Sequence, residues 1–164
     1  MQKKGDGWKM FSLAKKAQAA PAFTIDRPKL SIGPDPRKMK SALKDAGVAY
    51  KSVTDGYLTF AGTAFGHDIP LMFGIHYNNN KLRVEYIEVF RPPELCATGT
   101  YDLDASFREL SGVLREAYGE PLATASAAAG SAPCEQWRTS GYIVKHFIAD
   151  RFGSEEHLHI CFYR

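Results

Sequence analysis

The segment 35–47, DPRKMKSALKDAG, carries apolar residues at the three- and four-residue spacing of a helix with one buried side. Asp35 can accept amide hydrogen bonds as the N-cap, and Pro36 suits the first helical position. Gly47 permits a left-handed cap at the other end. The pattern predicts a helix that buries Met39, Ala42, Leu43 and Ala46 and turns Arg37, Lys38, Lys40 and Lys44 to the other side.

A second and longer helical pattern covers 102–119, DLDASFRELSGVLREAYG. Asp102 or Asp104 favours the positive end of the helix dipole, and Gly119 followed by Pro121 ends the pattern. The segment predicts an amphipathic helix. Its apolar side consists of Leu103, Phe107, Leu110, Leu114 and Ala117.

Between these helices, from 48 to 91, apolar and polar residues alternate with the period of two that is typical of strands with one buried face. Asp55 and Gly56 predict a two-residue turn between the first two strands. Asn79 and Asn80 predict a second such turn. Its register would pair Phe73, Ile75 and Tyr77 with Tyr86, Val84 and Leu82 on the core face, and leave His76, Arg83 and Glu85 on the opposite face.

The rest of the chain completes an α+β pattern. Residues 134–164 predict three strands with a turn at 151–155, and the stretch LATASAAAGSAP before them predicts a flexible connector. Another edge strand fits 22–25. We expect a two-layer α+β fold in the order helix, four strands, helix, three strands, with both main helices on one face of a curved antiparallel sheet of about six or seven strands. A basic N-terminal arm and connector at 1–33 would precede a single α+β domain at 34–164.

Composition indicates the domain size, the state of the cysteines and the location of the protein. The chain has 164 residues, of which 45% are apolar, and this is enough for one domain with a substantial core. Cys96, Cys134 and Cys161 are too few for a disulfide scaffold and predict free thiols. Lysines interrupt the N-terminal apolar residues, so they do not match a signal peptide, and no stretch approaches the ~20 apolar residues of a membrane span. We therefore expect a cytoplasmic location.

The net charge of +3 combines two unlike parts. Residues 1–51 contain twelve Lys or Arg and four Asp, a net charge of +8, whereas residues 52–164 contain nine Lys or Arg and fourteen Asp or Glu, a net charge of −5. The basic N-terminal third is compatible with weak nucleic-acid binding. It is also typical of a solvated face that is partly neutralised within the fold, and no aromatic RNA-binding signature accompanies it.

The C-terminal strand offers a candidate metal site. Its sequence HLHICF alternates His157, His159 and Cys161 with Leu158, Ile160 and Phe162. If Asp150 lies opposite Glu155, then His146 lies opposite His159 and shares a face with Cys161. Imidazole and thiolate bind zinc or copper, which makes His146, His159 and Cys161 candidate ligands. Same-face neighbours on a strand are about 7 Å apart, however, and a part-exposed polar sheet face without a metal is the more common reason for such a pattern.

Signatures of catalysis are missing from the sequence, which has no GxSxG, P-loop, GxGxxG or HExxH motif. A thiol nucleophile is poorly supported, because Cys161 lies in mid-strand, Cys134 follows the connector and Cys96 lies in a turn-rich loop. We predict a non-enzymatic protein without a cofactor. A metal- or thiol-dependent activity on the C-terminal hairpin is the alternative.

The uncovered face of the predicted sheet is the natural surface for a protein partner, because part-exposed aromatic residues are enriched in interface hot spots. The predicted partner-binding residues are Tyr142, His146, His157, His159 and Tyr163.

The C-terminal part of the chain contains FRELSGVLREAYGEP, a small-residue linker, and then CEQW and YIVKHFIAD. This order resembles small bacterial α+β proteins in which a helix ending in Tyr-Gly-x-Pro leads through a linker into a Trp-containing meander. Some of these are similar to immunity proteins, which bind and neutralise a toxin domain. The resemblance covers 102–164 and implies a protein partner, with no catalytic residue.

Overall fold

The computed structural model describes residues 20–95, 100–125, 132–150 and 153–163. Both predicted helices are present: α1 at Pro36–Asp45 and α2 at Leu103–Tyr118, with a 3-10 turn at Pro93–Leu95. The Asp35 and Asp102 side chains cap their N-termini, as expected from their positions. Neither helix is long and apolar enough to cross a membrane.

The described strands form one antiparallel sheet. They are β1 Phe23–Arg27, β2 Leu30–Ile32, β3 Lys51–Thr54, β4 Tyr57–Ala64, β5 Leu71–Asn78, β6 Arg83–Phe90, β7 Ala123–Ala125, β8 Cys134–Arg138, β9 Tyr142–Asp150 and β10 Ser154–Phe162. Hydrogen-bonded neighbours follow the order β2-β1-β4-β5-β6-β10-β9-β8-β7, and β3 pairs with β4 beside this path. The C-terminal strand β10 is therefore central, between β6 and β9.

One face of this sheet, the inner face, forms the core. Phe73 and Ile75 of β5 and Leu158 of β10 are fully buried there. The apolar residues of both helices belong to the same buried cluster, namely Met39 and Leu43 of α1 and Leu110 and Leu114 of α2. A single core thus joins the sheet and the two helices.

The other face, called the open face below, keeps part of its surface in solvent. Its residues alternate along the strands with the core residues, as a sheet with one buried face requires. Those that matter for function are Tyr57, His76, Tyr86, Glu88, Phe147, His157 and His159, all of intermediate exposure.

The sheet has more strands than the six or seven predicted. Strand β1 lies at the edge strand predicted for 22–25, whereas β2 comes from the rest of the predicted connector. Phe23, Ile25 and Ile32 in these two strands are buried because they complete the core. Strand β7 comes from the predicted flexible connector and pairs with β8. Residues 1–19 of the predicted arm and 126–131 of the predicted connector lie outside the described residues.

The predicted register of the β5–β6 hairpin is wrong. Tyr77 lies opposite Val84, and the next pair is His76 with Tyr86, so Glu85 is an extra, bulged residue. Leu82, expected in the core, is half exposed in the loop with a φ of 47°. The bulge reverses the alternation beyond it and moves Tyr86 to the open face.

The predicted register of the β9–β10 hairpin is also wrong, by one residue. Asp150 lies opposite Ser154, and His159 therefore lies opposite Lys145 and not opposite His146. His146 instead pairs with Leu158 and points to the inner face. A one-residue shift sends every side chain of one strand to the other face relative to its partner.

Candidate functional site

Five rings on five neighbouring strands form a continuous row across the open face, which we call the ring ladder. It runs from Tyr57 through His76, Tyr86 and His159 to Phe147. Successive ring centroids are 4.2, 4.2, 4.7 and 5.3 Å apart. These separations are comparable to the ~4.5–7 Å of favourable aromatic pairs. The ladder is therefore a packed row and not a set of independent side chains.

Strand pairing builds the ladder. Tyr57 lies directly opposite His76, and His76 lies directly opposite Tyr86. Such cross-strand partners have Cβ atoms ~4.5–5.5 Å apart, which brings planar rings into contact. Gly74 contributes by having no side chain, because the Tyr57 ring occupies the space where its Cβ would lie.

Glu88 on β6 is the acidic centre of the open face. Its Oε2 lies 3.4 Å from the Tyr57 hydroxyl, which donates a hydrogen bond, and 3.4 Å from Nε2 of His76. Its Oε1 lies 4.0 Å from Nδ1 of His157. The hydrogen bond from His76 lowers the pKa of Glu88 below its ordinary value and outweighs the opposing effect of burial. Glu88 is therefore ionised at neutral pH.

Two histidines of β10 complete a cluster with this carboxylate. His159 lies directly opposite Glu88, and His157 is two residues along the same strand. One potential ligand atom from each of Glu88, His157 and His159 lies within 4.8 Å of the others. Burial lowers the pKa of His159 to about 4, so this imidazole is neutral at physiological pH. An ionised carboxylate and a neutral imidazole thus face the same space.

A cavity of about 350 Å³ opens beside this cluster. Its walls combine rings with carboxylates, and they consist of Tyr86, Glu88, Phe147, Ala149, Glu155, His157 and His159. The volume lies at the lower end of the ~300–1,000 Å³ of small-molecule sites. The open face therefore has a concave part next to its charged groups.

His146 belongs to a different cluster, buried on the inner face beneath α2. Its Nε2 lies 2.7 Å from Oε1 of Glu156, and its Nδ1 lies 3.3 Å from the Ser111 hydroxyl. Glu156 also accepts hydrogen bonds of 2.6 Å from the hydroxyls of Ser106 and Tyr101. Burial raises the pKa of Glu156, but the hydrogen bonds outweigh it and hold the pKa below its ordinary value. This cluster joins the C-terminal hairpin to α2.

The predicted partner-binding residues are divided between the two faces. His157 and His159 share the open face, as expected. Tyr142 and His146 lie on the inner face, where Tyr142 packs against the core and His146 is fully buried. Tyr163 is exposed beyond the end of β10.

The predicted metal ligands are not brought together, because His146 lies on the opposite face from His159 and Cys161. Cys161 has the open face in common with His159, but burial raises the pKa of its thiol and disfavours the thiolate. Cys134 is a free, part-exposed thiol. Cys96 lies outside the described residues.

Sequence reasoning missed Tyr57, Tyr86 and Glu88 as site residues. Tyr57 precedes the buried Leu58, so the period of two already indicates that it faces away from the core. The alternation in the sequence predicts that Tyr86 lies in the core, because a bulge at Glu85 leaves no clear signal in the sequence.

The basic side of α1 is exposed, as predicted. Arg37 pairs with the Asp35 carboxylate, and the Lys40 ammonium lies 4.6 Å from the centre of the Tyr77 ring. Both cations thus have contacts within the chain.

Comparison with known proteins gives no relative: no family model, curated protein or solved structure matches the chain. The functions proposed below therefore draw on no matched relative.

Proposed function

We propose that the protein is a non-enzymatic binding protein whose protein partner docks on the open face. The observation that carries this proposal is the ring ladder, five contacting rings that keep part of their surface in solvent on one face of the sheet. Contiguous exposed apolar patches of more than roughly a few hundred Å² are rare on monomeric proteins, and the largest such patch on a monomer is often a binding surface.

Rings held in this way are suited to be interface anchors. Tyr86 contacts the rings on both of its sides, so its side chain is already ordered before a partner arrives. Preordered aromatic anchors lose little conformational entropy on binding, and Tyr is among the residues enriched in hot spots. Ionised Glu88 beside the ladder adds a fixed charge that favours one orientation of the partner.

In its specific form, the proposal is an immunity function, in which the partner is a toxin domain that the protein neutralises. The support for this form is the resemblance of 102–164 to small bacterial immunity-like proteins. A toxin encoded beside this protein's gene is the expected partner.

Binding assays with matched variants test the proposal. Tyr86→Ala and Phe147→Ala remove anchors at two positions of the ladder, and Tyr50→Ala removes an exposed aromatic residue that lies outside it. A partner captured in stoichiometric amount should bind wild type and Tyr50→Ala alike. Each ladder variant should raise the measured dissociation constant about 30-fold or more, which corresponds to a hot spot of about 2 kcal/mol.

Equal affinity for all four proteins would place the interface elsewhere and reject the proposal. Circular dichroism and thermal melting identify any variant that has lost its fold. For the immunity form, co-expression with the neighbouring toxin should restore growth with wild type and Tyr50→Ala but not with Tyr86→Ala. Growth without the protein, or no rescue by wild type, would reject that form alone.

A further inference from the structure

The open face carries a side-chain cluster whose chemistry goes beyond protein binding. Glu88, His157 and His159 offer three donor atoms that all lie within 4.8 Å of one another. Two of the residues are direct partners across β6 and β10, and the third is the next same-face residue on β10. The sheet therefore fixes the three Cα positions, and only side-chain torsions remain to be adjusted.

We propose that Glu88, His157 and His159 bind a divalent transition-metal ion, with zinc the best fit. Two imidazoles and one carboxylate form a known zinc donor set, and such a set leaves one coordination position open. Imidazole also suits copper and nickel, whereas magnesium and calcium prefer oxygen ligands alone.

The distances are compatible with a small closure around the ion. Zinc holds nitrogen and oxygen ligands at ~2.0–2.2 Å, so ligand atoms at tetrahedral angles are about 3.4 Å apart. The donors of this cluster need to approach one another by no more than about 1.4 Å from their separation of up to 4.8 Å. Rotation of two imidazoles and one carboxylate supplies a movement of that size without a change in the strands.

The Glu88 carboxylate is oriented for this role. Its Oε2 is held by the Tyr57 hydroxyl and by His76, each at 3.4 Å. Its Oε1 is the oxygen that approaches His157. Hydrogen bonds that fix one oxygen of a ligating carboxylate are the usual support of a metal site.

The two imidazoles are also held by neighbours. The Phe147 ring stacks on His157 with centroids 5.2 Å apart and contacts His159 edge-on. Nε2 of His157 lies 3.8 Å from the Glu155 carboxylate, which places an acidic group near its N–H when Nδ1 binds the ion. The adjacent cavity of about 350 Å³ leaves room for a water molecule or a ligand oxygen at the fourth position.

Metal titration of untagged, chelator-treated protein tests the site. Isothermal calorimetry with Zn²⁺ should show one ion bound per chain, and Co²⁺ should give the visible absorption of a four-coordinate ion without a thiolate charge-transfer band. Glu88→Gln and His159→Ala should each weaken zinc binding at least 10-fold. His67→Ala removes a histidine that pairs with Glu116 outside the cluster, and Cys161→Ser removes the neighbouring thiol; both should bind zinc as wild type does.

Absence of stoichiometric binding to wild type would overturn the proposal. So would binding that Glu88→Gln and His159→Ala leave unchanged, or binding that His67→Ala or Cys161→Ser removes. Glu88→Gln keeps the size of the side chain, so a folded Glu88→Gln protein that still binds zinc normally is decisive even if His159→Ala unfolds. The site does not rest on the partner-binding function, because zinc binding is measured without any partner.

Discussion

Nε2 of His146 lies 2.7 Å from Oε1 of Glu156, and both side chains are buried on the inner face of the C-terminal hairpin. The His146 ring also stacks on Phe107 of α2, with centroids 4.0 Å apart. A buried polar group is tolerated only when its hydrogen bonds are made. This pair therefore links the hairpin that carries His157 and His159 to the helix beneath it, and so supports the open face from below.

Truncation of His146 should destabilise the protein strongly. His146→Ala removes a fully buried ring and one donor to Glu156, and we expect a loss of about 3–5 kcal/mol in the free energy of unfolding, the range for large buried rings. His146→Phe keeps the ring but removes the donor, and should cost about 1–3 kcal/mol. Urea denaturation measures both values.

Lys145 provides the matched control for these variants. It directly precedes His146 on β9, but its side chain is exposed and belongs to the other face. Lys145→Ala should change the free energy of unfolding by no more than about 0.5 kcal/mol. A cost for Lys145→Ala similar to that for His146→Ala would contradict the register of β9.

Glu135 should make stability depend on pH. Burial alone raises the pKa of its carboxyl, but hydrogen bonds from Ser111 and Arg115 outweigh this and hold the pKa below its ordinary value. The folded state therefore binds this proton less readily than the unfolded state. The resulting stability is present above the unfolded pKa of about 4.3 and is lost as pH falls through the lower, folded pKa.

Glu135→Gln measures this contribution. Near pH 7 it should lower the free energy of unfolding by about 1.5–3 kcal/mol, the range for hydrogen bonds to charged groups. The difference from wild type should shrink as the pH of the urea titration falls from 5.5 to about 3.5. A difference that stays constant over this range would mean that Glu135 is not ionised in the way the contacts indicate.

Local chemistry made the helices and one hairpin predictable from sequence. Asp35 with Gly47 and Asp102 with Gly119 mark the helix ends, because side-chain caps and left-handed glycines act within one turn of the chain. Asp55-Gly56 likewise fixed the β3–β4 turn, where Thr54 lies opposite Tyr57.

The candidate site was not predictable in the same way, because it depends on which residues of neighbouring strands lie on the same face of the sheet. The bulged Glu85 moves Tyr86 to the open face, and the one-residue shift between β9 and β10 separates His146 from His159. Neither the bulge nor the register shift has a strong signal in the local sequence, and each changes which side chains share a face of the sheet. The pairing of β6 with β10 joins residues 88 and 159, and no hairpin links them.

The N-cap of α2 should contribute a measurable part of the stability. The Asp102 side chain accepts a hydrogen bond of 2.9 Å from the amide of Ala105. Asp102→Ala should lower the free energy of unfolding by about 1 kcal/mol, and Asp102→Asn should cost much less because Asn is also a good cap. Asp104→Ala should cost only about 0.3–1 kcal/mol, because Asp104 lies in the first turn and acts through the helix dipole. A larger loss for Asp104→Ala than for Asp102→Ala would mean that Asp102 is not the residue that caps the helix.

Gly74 should control the position of Tyr57 at one end of the ring ladder. A Cβ at Gly74 would lie 2.6 Å from the Tyr57 hydroxyl oxygen and 2.8 Å from its Cε2, so the ring would have to move. Gly74→Ala should therefore weaken the nuclear Overhauser effects between the Tyr57 and His76 rings and cost about 1–3 kcal/mol in the free energy of unfolding, as overpacking does.

Gly112 of α2 supplies the opposite control for the same substitution. Nothing lies within 4 Å of a Cβ added there, and the residue is helical, so Gly112→Ala should stabilise the protein by about 0.5–1 kcal/mol. The Tyr57–His76 contact should stay intact in this variant. If Gly74→Ala instead keeps that contact and its stability, the Tyr57 ring does not lie over Gly74.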